Sequence, residues 1–535
     1  MSISRSLLAG VAASSVLVLL APLKASAQDD LTLNSYRLET NDCPGCGQVE
    51  IRSPEAFQAY LDGIRAQVGK SANVRGNMVW QTPSSYFNRR GKQVVFIDFD
   101  AGGDPVFPVC RVTGFDEFGQ PNAWTLFGIF NDHVYTDEER QTITARITEE
   151  YKDFYYKFVT ERPRKGEYST LSIGDNDAPL DCSQGSNIQI FPNGGVSILF
   201  GRADRIDFLN LDKTDNAFAD ASLWEFLMQF NPFFFELFSG FDIDADFGGD
   251  QVAAVSLAVT NQTSNTGAHE VGHLQGLRHL NSLGPPGQGL PDNGAISPFE
   301  FVPPFPGPSN GFETELHTMA SGASVGLTLE GSTMTDRFFS ERSATRIAIA
   351  QTGLVKPESW VRRWGKDWVH LAWLRVPNTI VQGVNADADL TARAVVVEGS
   401  IDVLNEVDTY SFKGKKGDLF SAELISVIGR DLTFEEGIIG VLELYKKEKD
   451  GTLIPIDFNI QTFESFFDAE LLDVELPADG VYQLNVWAPD LIAFDTDGDG
   501  LPDTLFRLSD VGGADLLTGM YSVQMYTWNP EAARR

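Results

Sequence analysis

Positive charge, histidine and cysteine are all scarce in this chain. Only 41 Lys plus Arg stand against 74 Asp plus Glu, a formal net charge of -33. A surface of that sign repels phosphate backbones and anionic lipid heads, so nucleic acid is not expected as a partner. Beyond the first 27 residues no window holds eighteen uninterrupted apolar residues, so no membrane span is expected in the mature chain. There are only 6 histidines and 4 cysteines. What is not short is core-forming material: 42% of residues are hydrophobic and 21% charged, ordinary globular usage that argues against wholesale disorder. At 535 residues, two or more separately cored units are expected.

The first residues read as a secretory leader. Arg5 supplies the positive region, residues 7–20 an apolar stretch too short to span, and Ala25-Ser26-Ala27 a small-residue cleavage site before Gln28. The mature protein is therefore expected outside the cytoplasm, extracellular or periplasmic, where its cysteines can oxidise. Cys43, Cys46, Cys110 and Cys182 allow three pairings, and structural bridges Cys43 with Cys46 and Cys110 with Cys182 are favoured. Cys43-Pro44-Gly45-Cys46 has neither the second CxxC of a zinc knuckle nor the βαβ context of a redox enzyme.

Local patterns divide the remainder. Ser53-Pro54-Glu55 opens a short helix in a segment, residues 28–89, that reads as a pro-region or accessory lobe. Residues 94–99 form an apolar run ended by Gly102-Gly103-Asp104-Pro105, a strand. Thr136 and Glu139 make a capping box for a helix whose apolar positions Ile143, Ile147, Tyr151, Phe154 and Phe158 recur at helical spacing. Strands are expected near 168–173, 188–191 and 196–200, and helices over 252–276 and 340–351. The Pro- and Gly-rich stretch 284–311 is too long for an ordinary connection. After about Leu354 only short alternating runs with turn signals remain, among them hairpins at Asp450-Gly451 and Asp479-Gly480. The expected fold is α+β, strands interleaved with three main helices over residues 90–354, then a linker over 355–393 and an all-β sandwich over 394–531.

Three of the six histidines fall in one passage, His269-Glu270-Val271-Gly272-His273-Leu274-Gln275-Gly276-Leu277-Arg278-His279. His269 and His273, four residues apart, project from one face of a helix and can both reach a metal. Gly276 permits the left-handed turn that would end the helix and bring His279 round as a third nitrogen. Three neutral imidazoles leave zinc an open position for water, and Glu270 stands where a general base is needed. Five such positions arise by accident on the order of once in 10⁵ chains of this length.

At these residues the sequence resembles the metzincin metallopeptidases, whose HExxHxxGxxH motif is matched at every fixed position. The resemblance implies a mixed sheet and long helices above a cleft, with a Met-turn and a C-terminal helix below. His317-Thr318-Met319-Ala320-Ser321-Gly322 looks like the Met-turn, with Met319 as its methionine and Met334 as a rival. Phe338-Phe339-Ser340-Glu341-Arg342-Ser343, following that turn, looks nearest to bacterial, secreted, matrixin-like members. Leu280 after the third histidine departs from the named families. No Tyr stands two residues after Met319, and Cys43-Pro44-Gly45-Cys46 does not match the matrixin cysteine switch. The β-region resembles, at Asp408-Thr409-Tyr410-Ser411-Phe412 and its two hairpins, the pre-peptidase C-terminal domain of secreted bacterial peptidases, which implies an accessory role in export or in adhesion to extracellular matrix or a cell-surface polymer.

Asp495, Asp497, Asp499 and Asp503 alternate around glycines as a calcium loop requires, but Phe506 occupies the place of a bidentate Glu, so a solvated acidic turn is the competing reading. Asp242, Asp244 and Asp246 read as a polar loop, and His133 and His370 as isolated. The expected activity is that of a secreted zinc endopeptidase acting on protein or peptide substrates, with Glu270 as general base. The alternatives are an exported adhesin built on the same scaffold and a zinc amidohydrolase on a non-peptide amide.

Overall fold

The structure is a computed structural model that describes residues 92–99, 106–116, 121–174, 179–193, 195–204, 207, 210, 212–277, 290–291, 301–302, 317–319, 337–352, 354–361, 367–376, 390–404, 406–426, 438–459, 469–488, 491–494, 504–507 and 517–528. The leader, Cys43, Cys46, His279, Met334 and the acidic stretch 495–503 lie outside them.

In chain order the first half comprises β1 (Gln93–Asp98), β2 (Val106–Phe115), β3 (Pro121–Asn131), α1 (Asp137–Glu150), β4 (Tyr156–Val159), β5 (Ser169–Ile173), β6 (Ile188–Ile190), β7 (Val196–Ile198), β8 (Gly201–Ala203) and β9 (Asn216–Ala219). Helices α2 (Ser222–Phe230), α3 (Pro232–Ser239), α4 (Ile243–Phe247) and α5 (Gln251–His273) follow. The main sheet runs β4-β1-β5-β9-β8; β1, β4, β5 and β9 are parallel and the edge strand β8 is antiparallel to β9. Strands buried on both faces need near-continuous apolar sequence, and Val95, Ile97, Leu171, Ile173 and Ala219 are all at 1% exposure or less. A second sheet, β3-β2-β6-β7, lies beside it. There the Cys110–Cys182 disulfide ties β2 to the chain before β6, as favoured for that pair.

Helix α1 begins as its capping box requires. Thr136 Oγ1 accepts from Glu139 N–H at 3.3 Å, and Glu139 Oε2 accepts from Thr136 N–H at 2.6 Å. The helix stops at Glu150, and the apolar spacing that extended to Phe158 belongs in its last part to the β4 strand, where Phe158 packs against Tyr151. Asp242 N-caps the single-turn helix α4, so the Asp242–Asp246 run is a capped turn and not an open loop.

The second half begins with two short strands, β10 (Leu290–Pro291) and β11 (Phe301–Val302), then α6 (Glu341–Thr352), β12 (Val355–Pro357), α7 (Glu358–Val361), β13 (Ala372–Val376) and β14 (Leu390–Ile401). It continues with β15 (Val407–Gly414), β16 (Leu419–Ile425), β17 (Val441–Lys447), β18 (Leu453–Asn459), β19 (Ala469–Glu475), β20 (Gly480–Trp487), β21 (Leu491–Phe494), β22 (Thr504–Arg507) and β23 (Gly519–Trp528). One sheet runs β12-β14-β23-β16-β19, with β13 also on β14; its partner runs β15-β20-β17-β18. Residues 355–393, read as a linker, thus supply β12 and β13 to the first sheet.

That first sheet is covered on both faces. On β14, Ala392, Ala394 and Val396 join the core of the N-terminal half, while Val395 and Val397 join the core between the two sheets. On β23, Tyr526 and Trp528 face the first core, and Tyr521, Val523 and Met525 the second. Period-two alternation makes this division: neighbouring residues on a strand point to opposite faces. The molecule is therefore layered as helices and mixed sheet, then sheet, then sheet.

Candidate metal and catalytic site

Helix α5 carries the histidines. Asp250 caps it, its Oδ1 accepting from Val252 and Ala253 N–H at 3.1 Å each. From Gln262 onward every residue is buried, because the helix runs through the interior between α1, the main sheet and the 317–319 turn. Burying a polar helix is cheaper where its polar groups are bonded, and several are: Thr263 Oγ1 lies 2.8 Å from Tyr135 OH, Gln262 Nε2 donates to Thr266 Oγ1 at 2.8 Å, and Tyr151 OH donates to the Ala268 carbonyl at 2.8 Å. The helix ends at His273, and Gly276 takes φ +82°, turning the chain back so that Leu277 N–H donates to the Gly272 carbonyl at 3.1 Å.

The two ring orientations are set by carbonyls. His269 Nδ1 lies 2.8 Å from Thr318 O, and His273 Nδ1 lies 2.8 Å from Leu277 O. A carbonyl only accepts, so each Nδ1 carries the proton and each Nε2 a lone pair. The two Nε2 atoms face one another at 3.1 Å. Lone pairs at that separation repel unless a proton or a cation lies between them. Two nitrogens each roughly 2.0–2.1 Å from one tetrahedral ion stand roughly 3.3 Å apart, so this pair suits zinc. Among the described residues no three His, Cys, Asp or Glu form a metal-holding group. The third expected donor, His279, lies outside the described residues, two positions past Leu277.

Glu270 is on the same helical turn, 6% exposed. Its carboxylate lies along β8: a Cβ built on Gly201 would stand 2.6 Å from Glu270 Oε1 and 2.5 Å from Thr266 Cγ2. Gly201 is thus the only residue type that lets the edge strand run this close to the proposed base. Met319, fully buried, lies directly against Gly272, where any Cβ would collide with its sulfur. Met319 therefore sits between the levels of His269 and His273 on the helix. Its neighbour Thr318 donates a hydroxyl hydrogen bond to Glu150 Oε2 at 3.0 Å, while Thr318 N–H donates to Phe338 O at 2.8 Å.

At the other end of α1, His133 is held between two carboxylates. Its Nε2 lies 3.1 Å from Glu139 Oε1 and its Nδ1 3.0 Å from Glu225 Oε1. Burial works against its charge, but the Glu225 and Glu139 carboxylates outweigh it and raise its pKa. Burial would likewise raise Glu139, yet hydrogen bonds from Ser256 and Thr136, with His133 beside it, bring it below the ordinary value. Beside this clamp, burial and then the buried Asp220 carboxylate push Asp132 up to about 7. His133, isolated in the sequence, takes its partners from α1 and α2, and nothing in local spacing points to them.

No family model and no curated protein matches the chain. Among solved structures, the pre-peptidase C-terminal domain of a collagenase from Bacillus anthracis is similar at 12% identity, over 24% of this chain and 85% of that one, with a TM-score of 0.14. A protein of Sulfurospirillum deleyianum is similar at 9% identity, over 25% of this chain and 98% of that one, also with a TM-score of 0.14.

Proposed function

We propose that the protein is a secreted, zinc-dependent endopeptidase of the metzincin type. The observation that carries the reading is the convergence of His269 Nε2 and His273 Nε2 at 3.1 Å, each with its Nδ1 proton committed to a carbonyl, on the helix that also carries Glu270. His269, His273 and His279 would hold the ion, and a bound zinc supplies a Lewis acid that acidifies a water and polarises the scissile carbonyl. The Thr318 and Leu277 carbonyls keep both imidazoles oriented with Nε2 toward the site, so no ring has to flip on loading. Met319 against Gly272 and Tyr151 on Ala268 hold the helix turn that bears the ligands. Glu270, kept from bulk water by β8, takes the proton of the attacking water at its carboxylate and delivers it to the leaving amine. The C-terminal sheets are taken as a domain of the pre-peptidase C-terminal type.

Purified mature protein should carry about one zinc per chain and digest casein or gelatin. Glu270→Ala should keep the zinc and lose at least 10³-fold in kcat, since the ligands remain while proton transfer is gone. Equal activity in both proteins, or a wild-type protein that takes up no zinc, would sink this reading. Cleavage of small amides with no attack on casein or gelatin would favour the amidohydrolase instead.

A further inference from the structure

We infer that the C-terminal sheets are a positioning part of the proposed metal centre and not a detachable accessory, an inference that rests on the zinc reading above. The connection runs through α6. On one side of this helix two arginines enter the first C-terminal sheet. Arg342, 1% exposed, makes a two-pronged pair with Asp473 on β19, Nη1 to Oδ1 at 3.2 Å and Nη2 to Oδ2 closer still. Arg346, 2% exposed, pairs with Glu423 on β16, which is fully buried and lies 3.5 Å from Tyr526 OH on β23. Asp473 is itself fixed, its N–H donating to Ser421 Oγ at 3.0 Å.

At the start of α6, residues 337–340 lie against the 317–319 turn. His317 and Phe338 form a bridge with rings stacked edge to face at 5.4 Å, Thr318 N–H donates to Phe338 O at 2.8 Å, and Phe339, fully buried, packs on Tyr151 and Phe154. Thr318 then holds His269 through its carbonyl, and Met319 abuts Gly272. The links are buried except Phe338 and Asp473, which are partly exposed, and the two outermost joints are ion pairs. A buried ion pair contributes little net stability but is costly to break from one side, because the remaining charge has no water to receive it. Such joints therefore specify geometry more than they add stability. Apolar packing runs in parallel: Leu374, Val376, Ala392, Ala394, Val396, Tyr526 and Trp528 lie in the same core as the α5 residues Ala268 and Val271.

The test uses the full chain with zinc affinity, kcat, KM and melting as readouts. Glu423→Gln and Arg346→Met, and the milder Asp473→Asn in case the first two fail to fold, should weaken zinc binding at least tenfold, measured by competition with a chromogenic chelator. They should lower kcat at least tenfold on a short peptide while KM stays within about twofold. The double variant Arg346→Met with Glu423→Met, which leaves no unpaired buried charge, should recover most of the zinc affinity. Lys446→Met, which breaks the partly exposed Lys446–Glu448 pair on the outer sheet, should change none of these. Folded variants that melt lower yet keep zinc affinity and kcat within twofold of wild type would overturn the inference. Should wild-type protein take up no zinc, the metal reading fails separately, and calorimetry then judges the brace. A single transition that splits in Asp473→Asn supports the coupling, and two transitions in wild type overturn it.

Discussion

Two glycines near the candidate centre are explained by what lies opposite them. Gly201 has no Cβ because Glu270 occupies the place one would take, and Gly272 has none because Met319 does. The neighbours of Gly201 are Thr266 Cγ2 and Glu270 Oε1 and Cγ, all within 2.7 Å and on a buried helix, so an added methyl must displace Thr266, the carboxylate or the strand. Gly201→Ala should cost roughly 1–3 kcal/mol of stability, the usual range for overpacking, and should reduce kcat at least tenfold because the displaced group is the proposed base. Thermal melting and peptide kinetics on the purified variant check both parts; a stable variant with wild-type kcat would show that β8 yields and Glu270 does not depend on it. Glu270, His269 and His273 were legible from spacing alone, since a helix puts positions four apart on one face. That Gly272, an unspecified position of the motif, must also be small was not legible, because its reason is a side chain 47 residues away.

The elements that local chemistry specifies strongly formed where expected. Thr136 and Glu139 cap α1, and Gly276 turns the chain after α5; the cap of α5, Asp250, was not among the expectations. The short α2 and α3 went unread, although Asn231-Pro232 is a cap followed by an N1 proline and Gly240 closes α3 in the left-handed region. The run of aromatics around them hides any helical period. The junction of β3 and α1 carries a pH dependence. Asp132 has its carboxyl raised to about 7, first by burial and then by Asp220, so the folded state holds a proton that the unfolded chain gives up near pH 4. Stability from this group is complete below about pH 4 and is lost as pH rises to about 7, on the order of 4 kcal/mol in all. Asp132→Asn can still accept from His133 N–H and Ser222 Oγ, so it should lose less melting temperature than wild type between pH 5 and pH 8. Parallel pH profiles for the two proteins would mean that Asp132 ionises at its ordinary value.

As a whole molecule the chain is three layers deep, and the central strands β14 and β23 of its middle layer, a sheet, are covered on both faces. Stopping the chain at Leu354 would remove that sheet, leaving Arg342 and Arg346 without their carboxylates and the apolar side of α6 in water. The shortened chain should therefore bind a hydrophobic dye and melt without a cooperative transition. A sharp transition within a few degrees of the full chain would show that the N-terminal half closes its core alone. The acidic stretch with Asp495, Asp497, Asp499 and Asp503 lies between β21 and β22, which pair antiparallel from Phe494 with Thr504 to Leu491 with Arg507.

By itself the sequence determined what acts over a few residues: the helix caps, the alternation of the strands, the hairpin at Asp450-Gly451, and the four-residue spacing that sets His269 and His273 on one helix face. Each depends on backbone geometry that repeats every two or 3.6 residues, so the pattern is visible without knowing what packs against it. Only the tertiary structure decided which carbonyls fix those imidazoles, that Met319 lies under Gly272, that His133 is clamped by two helices, and that β14 and β23 serve two cores at once. Those contacts join residues distant in the chain. Their partners are chosen by how layers stack, and no periodicity in either segment records that choice.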